Sequence, residues 1–233
     1  SECRIIDSSN GPIYQRILLQ GKSPGTDEAF GVNLEIKLYH DTKRIELEYA
    51  IKRLPETDPS GIYVAFPFQL PEGKLAFDVQ GGTVISGKNQ LEGTSTDWNT
   101  VQNFVSVIII GSSLIPLYQL GDINLGKFQY QKQYERPHVY SWVMNNYWNT
   151  NFKASQEGEF RWSYHLTSSV DPSNNLATKF GWSSRIPLYA RVMPTGTENH
   201  KPTEYSAFHF EKDNFLMTSC TPSKEEGYIL LNI

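Results

Sequence analysis

From residue 30 to 39 apolar and polar positions alternate. Val32, Leu34, Ile36 and Leu38 fall on one side, and Asn33, Glu35 and Lys37 on the other. A period of two marks a half-buried strand. His40-Asp41-Thr42-Lys43 predicts a turn, and residues 44–52 alternate again, so the two segments predict a hairpin. Residues 61–68 are apolar on both faces, as in a central strand, until Pro67 removes a ladder donor. Shorter strands are predicted at 4–7 and 13–19 around a turn at 8–12, and at 74–79 and 83–85 around Gly81-Gly82. Further strands are predicted at 101–110, 113–120 and 159–166, then at 205–210, 215–219 and 228–233. The polar, Tyr/Gln/Lys-rich stretch 122–137 predicts a long solvated loop. A single helix is predicted at 172–182, capped by Asp171 or Ser173, with Leu176, Ala177, Phe180 and Gly181 on one face and Ser183-Ser184 and Pro187 as its stop. Residues 193–199 predict a linker. The expected fold is therefore all-β: a large antiparallel sandwich over 1–195 with one short helix, then the start of a second small β-module over 196–233.

Composition narrows the function classes. The chain has 233 residues, 39% apolar and 13% aromatic, enough for a substantial β-rich core. Its net charge is -4 and its Lys and Arg are scattered, which speaks against nucleic acid as a partner. The longest apolar run, 105–110, is too short to span a bilayer, so no membrane partner is expected. Ser1-Glu2-Cys3-Arg4 offers no secretory h-region. The chain enters its first strand without a lead-in, which predicts a piece of a longer protein. Cys3 and Cys220 fit neither a disulfide-dense scaffold nor a zinc spacing. Two unrelated thiols are the preferred reading, a single bridge the alternative.

Candidate chemistry is sparse. Asp97, Asp122, Glu157 and Glu159 could be offered as catalytic carboxylates, and only Glu157 and Glu159 share a strand face by spacing. A Glu-Gly-Glu turn is ordinarily solvated edge charge, so no catalytic residue is expected. His40, His138, His165, His200 and His209 are dispersed and form no zinc-ligand pair, so no metal is expected in this chain. No Gly-x-Ser-x-Gly elbow occurs, and Gly81-Gly82 precedes no helix. Two aromatic–amide clusters remain. Aromatic faces pack against sugar C–H groups while amides bond hydroxyls, which makes Asp97, Trp98, Gln102, Trp148 and Asn149 the candidate carbohydrate contacts. The competing reading places Trp142, Tyr147 and Trp148 in the core, with the Asn residues fixing turns.

Several motifs resemble, in order, the C-terminal β region of glycoside hydrolase family 38, the α-mannosidase-type enzymes. They are Gly11-Pro12, Arg44-Ile45-Glu46, Ile62-Tyr63-Val64-Ala65-Phe66-Pro67-Phe68 and Asp97-Trp98-Asn99-Thr100-Val101-Gln102-Asn103-Phe104. Leu117-Tyr118-Gln119-Leu120-Gly121-Asp122-Ile123, Asn145-Asn146-Tyr147-Trp148-Asn149-Thr150-Asn151-Phe152 and Phe160-Arg161-Trp162 follow, then Phe210-Glu211-Lys212-Asp213-Asn214-Phe215 and Gly227-Tyr228-Ile229-Leu230-Leu231. The resemblance implies a galactose-mutarotase-like supersandwich. It also implies that the nucleophile and zinc ligands belong to an N-terminal α/β barrel followed by a three-helix bundle, neither of which this sequence resembles. The chain is then a non-catalytic β-domain fragment of an α-mannosidase-like glycosidase, inactive alone, supporting the barrel and lining its carbohydrate cleft. Its partners are that barrel and a mannoside; it has no cofactor of its own, zinc being expected in the barrel. A self-standing carbohydrate-binding module is the alternative. An epimerase on the same fold would need a paired His and Glu in one concave sheet, and the sequence suggests no such pair.

Overall fold

The computed structural model describes residues 3–69, 75–106, 108–129, 134–147, 153–169, 174–186, 188–191, 205–212 and 214–233. The described strands are β1 (Cys3–Asn10), β2 (Tyr14–Gly21), β3 (Val32–Tyr39), β4 (Ile45–Arg53), β5 (Gly61–Phe66), β6 (Ala76–Val79), β7 (Gly82–Ile85) and β8 (Asn99–Thr100). They continue with β9 (Phe104–Ser106), β10 (Ile109–Gly111), β11 (Leu117–Leu120), β12 (Val139–Asn145), β13 (Gly158–Thr167), helix α1 (Asn175–Arg185), β14 (Ser219–Pro222) and β15 (Ile229–Asn232). The chain divides into two compact units, Ser1–Ile186 and Pro187–Ile233.

In the first unit, nine strands form one sheet in the order β1-β2-β3-β4-β13-β10-β9-β6-β7, and four form another, β5-β12-β11-β8. All registered pairs are antiparallel. The all-β expectation holds: the regular structure among the described residues is mostly strand, with one helix. Alternation sends Ile51, Val105, Ile110, Trp162 and Tyr164 inward from the larger sheet, and Phe66, Tyr118, Leu120 and Val139 inward from the smaller. Each such side chain contributes about 1.5–3 kcal/mol by leaving water. Tyr164 is the centre of this layer. Its ring meets Phe66 edge-on at 5.1 Å, and its hydroxyl donates to Ser141 Oγ at 2.8 Å, one hydrogen bond from sheet to sheet. Burial raises the Tyr164 pKa well above that of an ordinary phenol.

The hairpin expected at 30–52 is β3–β4, and β5 stops at Phe66, before the proline. Other boundaries differ for identifiable reasons. The first strand runs on to Asn10 because a bulge at Ile6 absorbs a register shift against β2. The single strand expected at 101–110 is instead two short strands, β9 and β10, preceded by β8. β8 pairs with β11 in the smaller sheet; the chain then crosses to the larger sheet, where β9 and β10 fold back on each other with Ile110 opposite Val105. The crossover is held by Asp78. Its buried carboxylate accepts Asn103 N at 2.6 Å, Asn103 Nδ2 at 2.8 Å and Phe104 N at 2.8 Å. The strand expected at 113–120 is only β11, because Ser112 Oγ accepts Ile115 N at 3.2 Å and keeps its first residues in a turn.

The helix starts and ends later than expected. Asp171 and Ser173 lie outside the described residues, and Asn174, at the N-cap, makes no side-chain cap. Ser183 and Ser184 do not stop the helix; both hydroxyls donate back to the Phe180 carbonyl within its last turn. Leu176 is exposed rather than packed, and Ala177 and Gly181 are the buried positions. Arg185 closes the helix by donating to the Gln102 carbonyl at 2.8 Å, suiting the negative end of its dipole. In the second unit, residues 205–210 and 215–218 are not strands; the described pairing there is β14 with β15, from Ser219 opposite Asn232 to Pro222 opposite Ile229. Cys3, in the first unit, and Cys220, in the second, are each free, exposed thiols.

Replacing Asp78 by Ala strands three buried donors, each worth about 1–3 kcal/mol when left unsatisfied. Urea unfolding of Asp78→Ala followed by tryptophan fluorescence is expected to show a loss of at least about 2 kcal/mol. Asp78→Asn, which keeps one acceptor, loses less.

Candidate functional site

The smaller sheet has a second, outward face. Because Tyr118, Leu120 and Val139 point into the sandwich, Gln119, Tyr140 and Trp142 point away from it, with Tyr63 opposite Trp142 in the β5–β12 register. Tyr63 and Trp142 stack with centroids 6.0 Å apart and planes 8° from parallel. Trp98 meets Trp142 edge-on at 6.4 Å, and Tyr147 lies tilted against it at 6.1 Å. Gly61 makes this corner possible: a Cβ there would stand 2.5 Å from the Tyr147 hydroxyl and 2.8 Å from Tyr63 Cε2. The Tyr63 hydroxyl accepts Gln119 Nε2 at 3.0 Å, and burial followed by the Tyr147 hydrogen bond raises its pKa. Trp142 is 3% exposed and belongs to a small core of its own, whereas Trp98 is only half-buried at its edge.

That face is covered by part of the stretch expected to be a solvated loop. Gln119 is fully buried. Its Oε1 accepts the backbone N–H groups of Asn124 and Leu125, at 2.5 and 3.1 Å, while Asn124 Nδ2 donates to the carbonyls of Leu120 and Asp122. Asp97 Oδ2 accepts Gly126 N at 3.0 Å, and Thr96 Oγ1 donates to the Gln129 carbonyl at 2.9 Å. The 94–98 segment is thus tied to a covering flap at 121–129, and a polar composition hides a buried hydrogen-bond network.

The three described candidates among the sugar contacts, Asp97, Trp98 and Gln102, are not gathered in one place. Trp98 belongs to the aromatic corner, and Asp97, which also accepts from the Ser95 hydroxyl, anchors the flap. Gln102 lies beyond β8 at the crossover, its N–H donating to the Asp78 carbonyl and its own carbonyl taken by Arg185. Trp148 and Asn149 lie outside the described residues; Tyr147, the residue before them, is held in the corner. Asn146 does fix a turn: its Oδ1 accepts Ser60 N at 2.6 Å, and its Nδ2 donates to the Glu56 and Asp58 carbonyls. Of the carboxylates, Glu157 is ion-paired with Lys153 at 2.6 Å, which lowers its pKa, and Asp122 accepts the next backbone N–H.

A paired Glu and His do exist, contrary to the expectation from sequence. β13 sets His165 directly opposite Glu46 of β4, with Nδ1 3.3 Å from Glu46 Oε1. Arg44 Nε donates to the same Oε1 at 2.9 Å, Arg44 Nη2 lies 2.9 Å from the histidine nitrogen, and the guanidinium carbon stands 5.7 Å from the Phe180 ring centroid. The His165 hydrogen bond, then the Tyr39 hydroxyl and the Arg44 charge, outweigh burial and hold the Glu46 carboxyl at about 2. Such a carboxylate is a poor base. The group works as an electrostatic lock between β4, β13 and α1, which the wide sequence separation of its members concealed.

Among the described residues no group of three His, Cys, Asp or Glu could hold a metal ion. The described donors therefore do not fit a zinc centre. The model of the glycosyl hydrolases family 38 C-terminal domain matches residues 1–124. No curated protein matches the chain.

Two outcomes are expected. Gly61→Ala, which must displace Tyr147 or Tyr63, loses about 1–3 kcal/mol in urea unfolding. Acid sensitivity follows from Glu46. Its folded carboxyl titrates at about 2 against an ordinary 4.5, so as pH falls the unfolded chain takes the proton first. The stability it contributes is complete above about 4.5 and is lost between there and about 2. Urea midpoints measured across that window should fall more steeply for the wild-type chain than for Glu46→Gln.

Proposed function

Since the chain belongs to the glycosyl hydrolases family 38 C-terminal domain family, we propose that it serves an α-mannosidase-type glycosidase as a non-catalytic β-domain. On this reading it supports the catalytic barrel and lines one wall of its carbohydrate cleft. The supersandwich occupies 1–195, and 196–233 begins a further β-module. The observation that carries the reading is the half-buried Trp98, held edge-on against the buried Trp142 in an aromatic corner whose Tyr63 and Tyr147 are half-buried as well. An aromatic held this way offers a rigid face to sugar C–H groups at little entropic cost. Trp148 and Asn149, which follow the anchored Tyr147 directly, complete the contact, while Asp97 and Gln102 hold the loops that present it. Zinc, as a Lewis acid, belongs to the barrel.

The chain alone, supplied with zinc, is expected to show no turnover of an aryl α-mannoside; turnover overturns the non-catalytic assignment. In the protein that joins this chain to its barrel, Trp98→Ala is expected to lower kcat/KM at least about tenfold, or about 1.4 kcal/mol of transition-state binding. Thermal melts of the same variant separate this from loss of fold. An unchanged kcat/KM overturns the cleft-lining role and favours an independent carbohydrate-binding module.

A further inference from the structure

At the end of the smaller sheet where β5 and β11 finish and β12 begins lies a groove with two lobes. One, of about 380 Å³, is walled by Asp122, Gln129, Tyr140 and their neighbours. The other, of about 600 Å³, is walled by Phe68 and Gln69. Glu135, Arg136 and His138 border both lobes, so the two meet at Arg136. Each volume falls within the usual range of small-ligand sites, about 300–1,000 Å³.

The floor is fixed. His138 directly precedes β12, and its carbonyl accepts Gly121 N at 2.8 Å. Gly121 has φ +79°, and the Tyr134 ring occupies the space a Cβ would need. Arg136 precedes Pro137, which restricts it to extended backbone. The walls are unspent. Among the described residues, Arg136 and Glu135 make no ion pair and no side-chain hydrogen bond. The His138 side chain meets Tyr140, with Nδ1 3.3 Å from its hydroxyl and the rings edge-on at 6.2 Å. Asp122 uses one oxygen on the N–H of Ile123 and leaves the other.

Both signs of charge line this groove. A phosphate would meet Asp122 and Glu135, and a cation would meet Arg136, so neither is matched. Donors and acceptors of both kinds, with the Tyr140 ring in one lobe and the Phe68 ring in the other, suit a neutral molecule rich in hydroxyls with apolar C–H faces. We propose that the groove binds a neutral oligosaccharide of two or more hexose units. Arg136 bridges hydroxyls of adjacent units, while Asp122 and His138 hold the unit that lies on Tyr140. That the hexose is mannose rests on the function proposed above; the groove itself does not.

The test uses the whole chain in calorimetric titrations with an α-linked mannobiose, cellobiose and methyl α-mannoside. Mannobiose is expected to bind saturably, at least about fivefold tighter than the single-unit methyl α-mannoside. Arg136→Ala is expected to weaken it at least about tenfold with an unchanged melting temperature, and Arg136→Lys less. Removing an arginine elsewhere on the surface, Arg161→Ala, leaves binding as it was. No saturable response to any of the three sugars, or binding indifferent to Arg136→Ala, overturns the groove while leaving the enzyme-domain reading to its own test. Arg136-dependent binding of cellobiose with none of mannobiose upholds the groove and overturns the mannoside assignment.

Discussion

The chain passes from one sheet to the other within three residues, 101–103, and the carboxylate that receives it decides the architecture. A buried Asp is costly unless its oxygens are filled. Asp78 is filled by N–H donors that come only from the crossover, so β6, the end of β8 and the start of β9 have a single satisfied arrangement. Arg185 then takes Asn103 Oδ1 at 3.3 Å as well as the Gln102 carbonyl, and Gly181 lets α1 approach the Asn103 backbone. Helix, crossover and sheet edge share one node.

Around that node the outward face of the smaller sheet is built from side chains that would ordinarily be called polar. Gln119 and Asn124 are buried acceptors and donors for a flap, and Asp97 ties the flap to the segment bearing Trp98. The domain thus offers a held aromatic edge and a groove in which, among the described residues, Glu135 and Arg136 form no ion pair. Rigidity of this kind suits a surface that must meet a ligand or a barrel without paying to reorganise.

What was legible from sequence was what is local. Strict alternation at 32–39 and 45–53 gives β3 and β4, although both faces of β3 stay part-exposed and Leu38 is exposed, and Pro67 follows the end of β5. Ordered motifs resembling a family agreed with its match over 1–124. The run at 101–110 misled because apolarity reports burial, not which of two sheets does the burying. The serines at 183–184 misled because their hydroxyls can serve a helix from within its last turn. At the site, Trp98 could be named from its neighbours, but Glu46 with His165, and Arg136 with Asp122, are brought together only by pairing and loop closure.

The hydroxyl contact between Tyr164 and Ser141 has a consequence for how the two layers are aligned. Apolar packing between sheets is non-directional, so interdigitated side chains tolerate several small offsets of one layer over the other. A single short, directional bond deep in that interface selects one offset and penalises the rest. The distance between the nine-stranded layer and everything mounted on the far side of the four-stranded one is thereby a fixed dimension, set by two oxygens rather than by the sum of the packing.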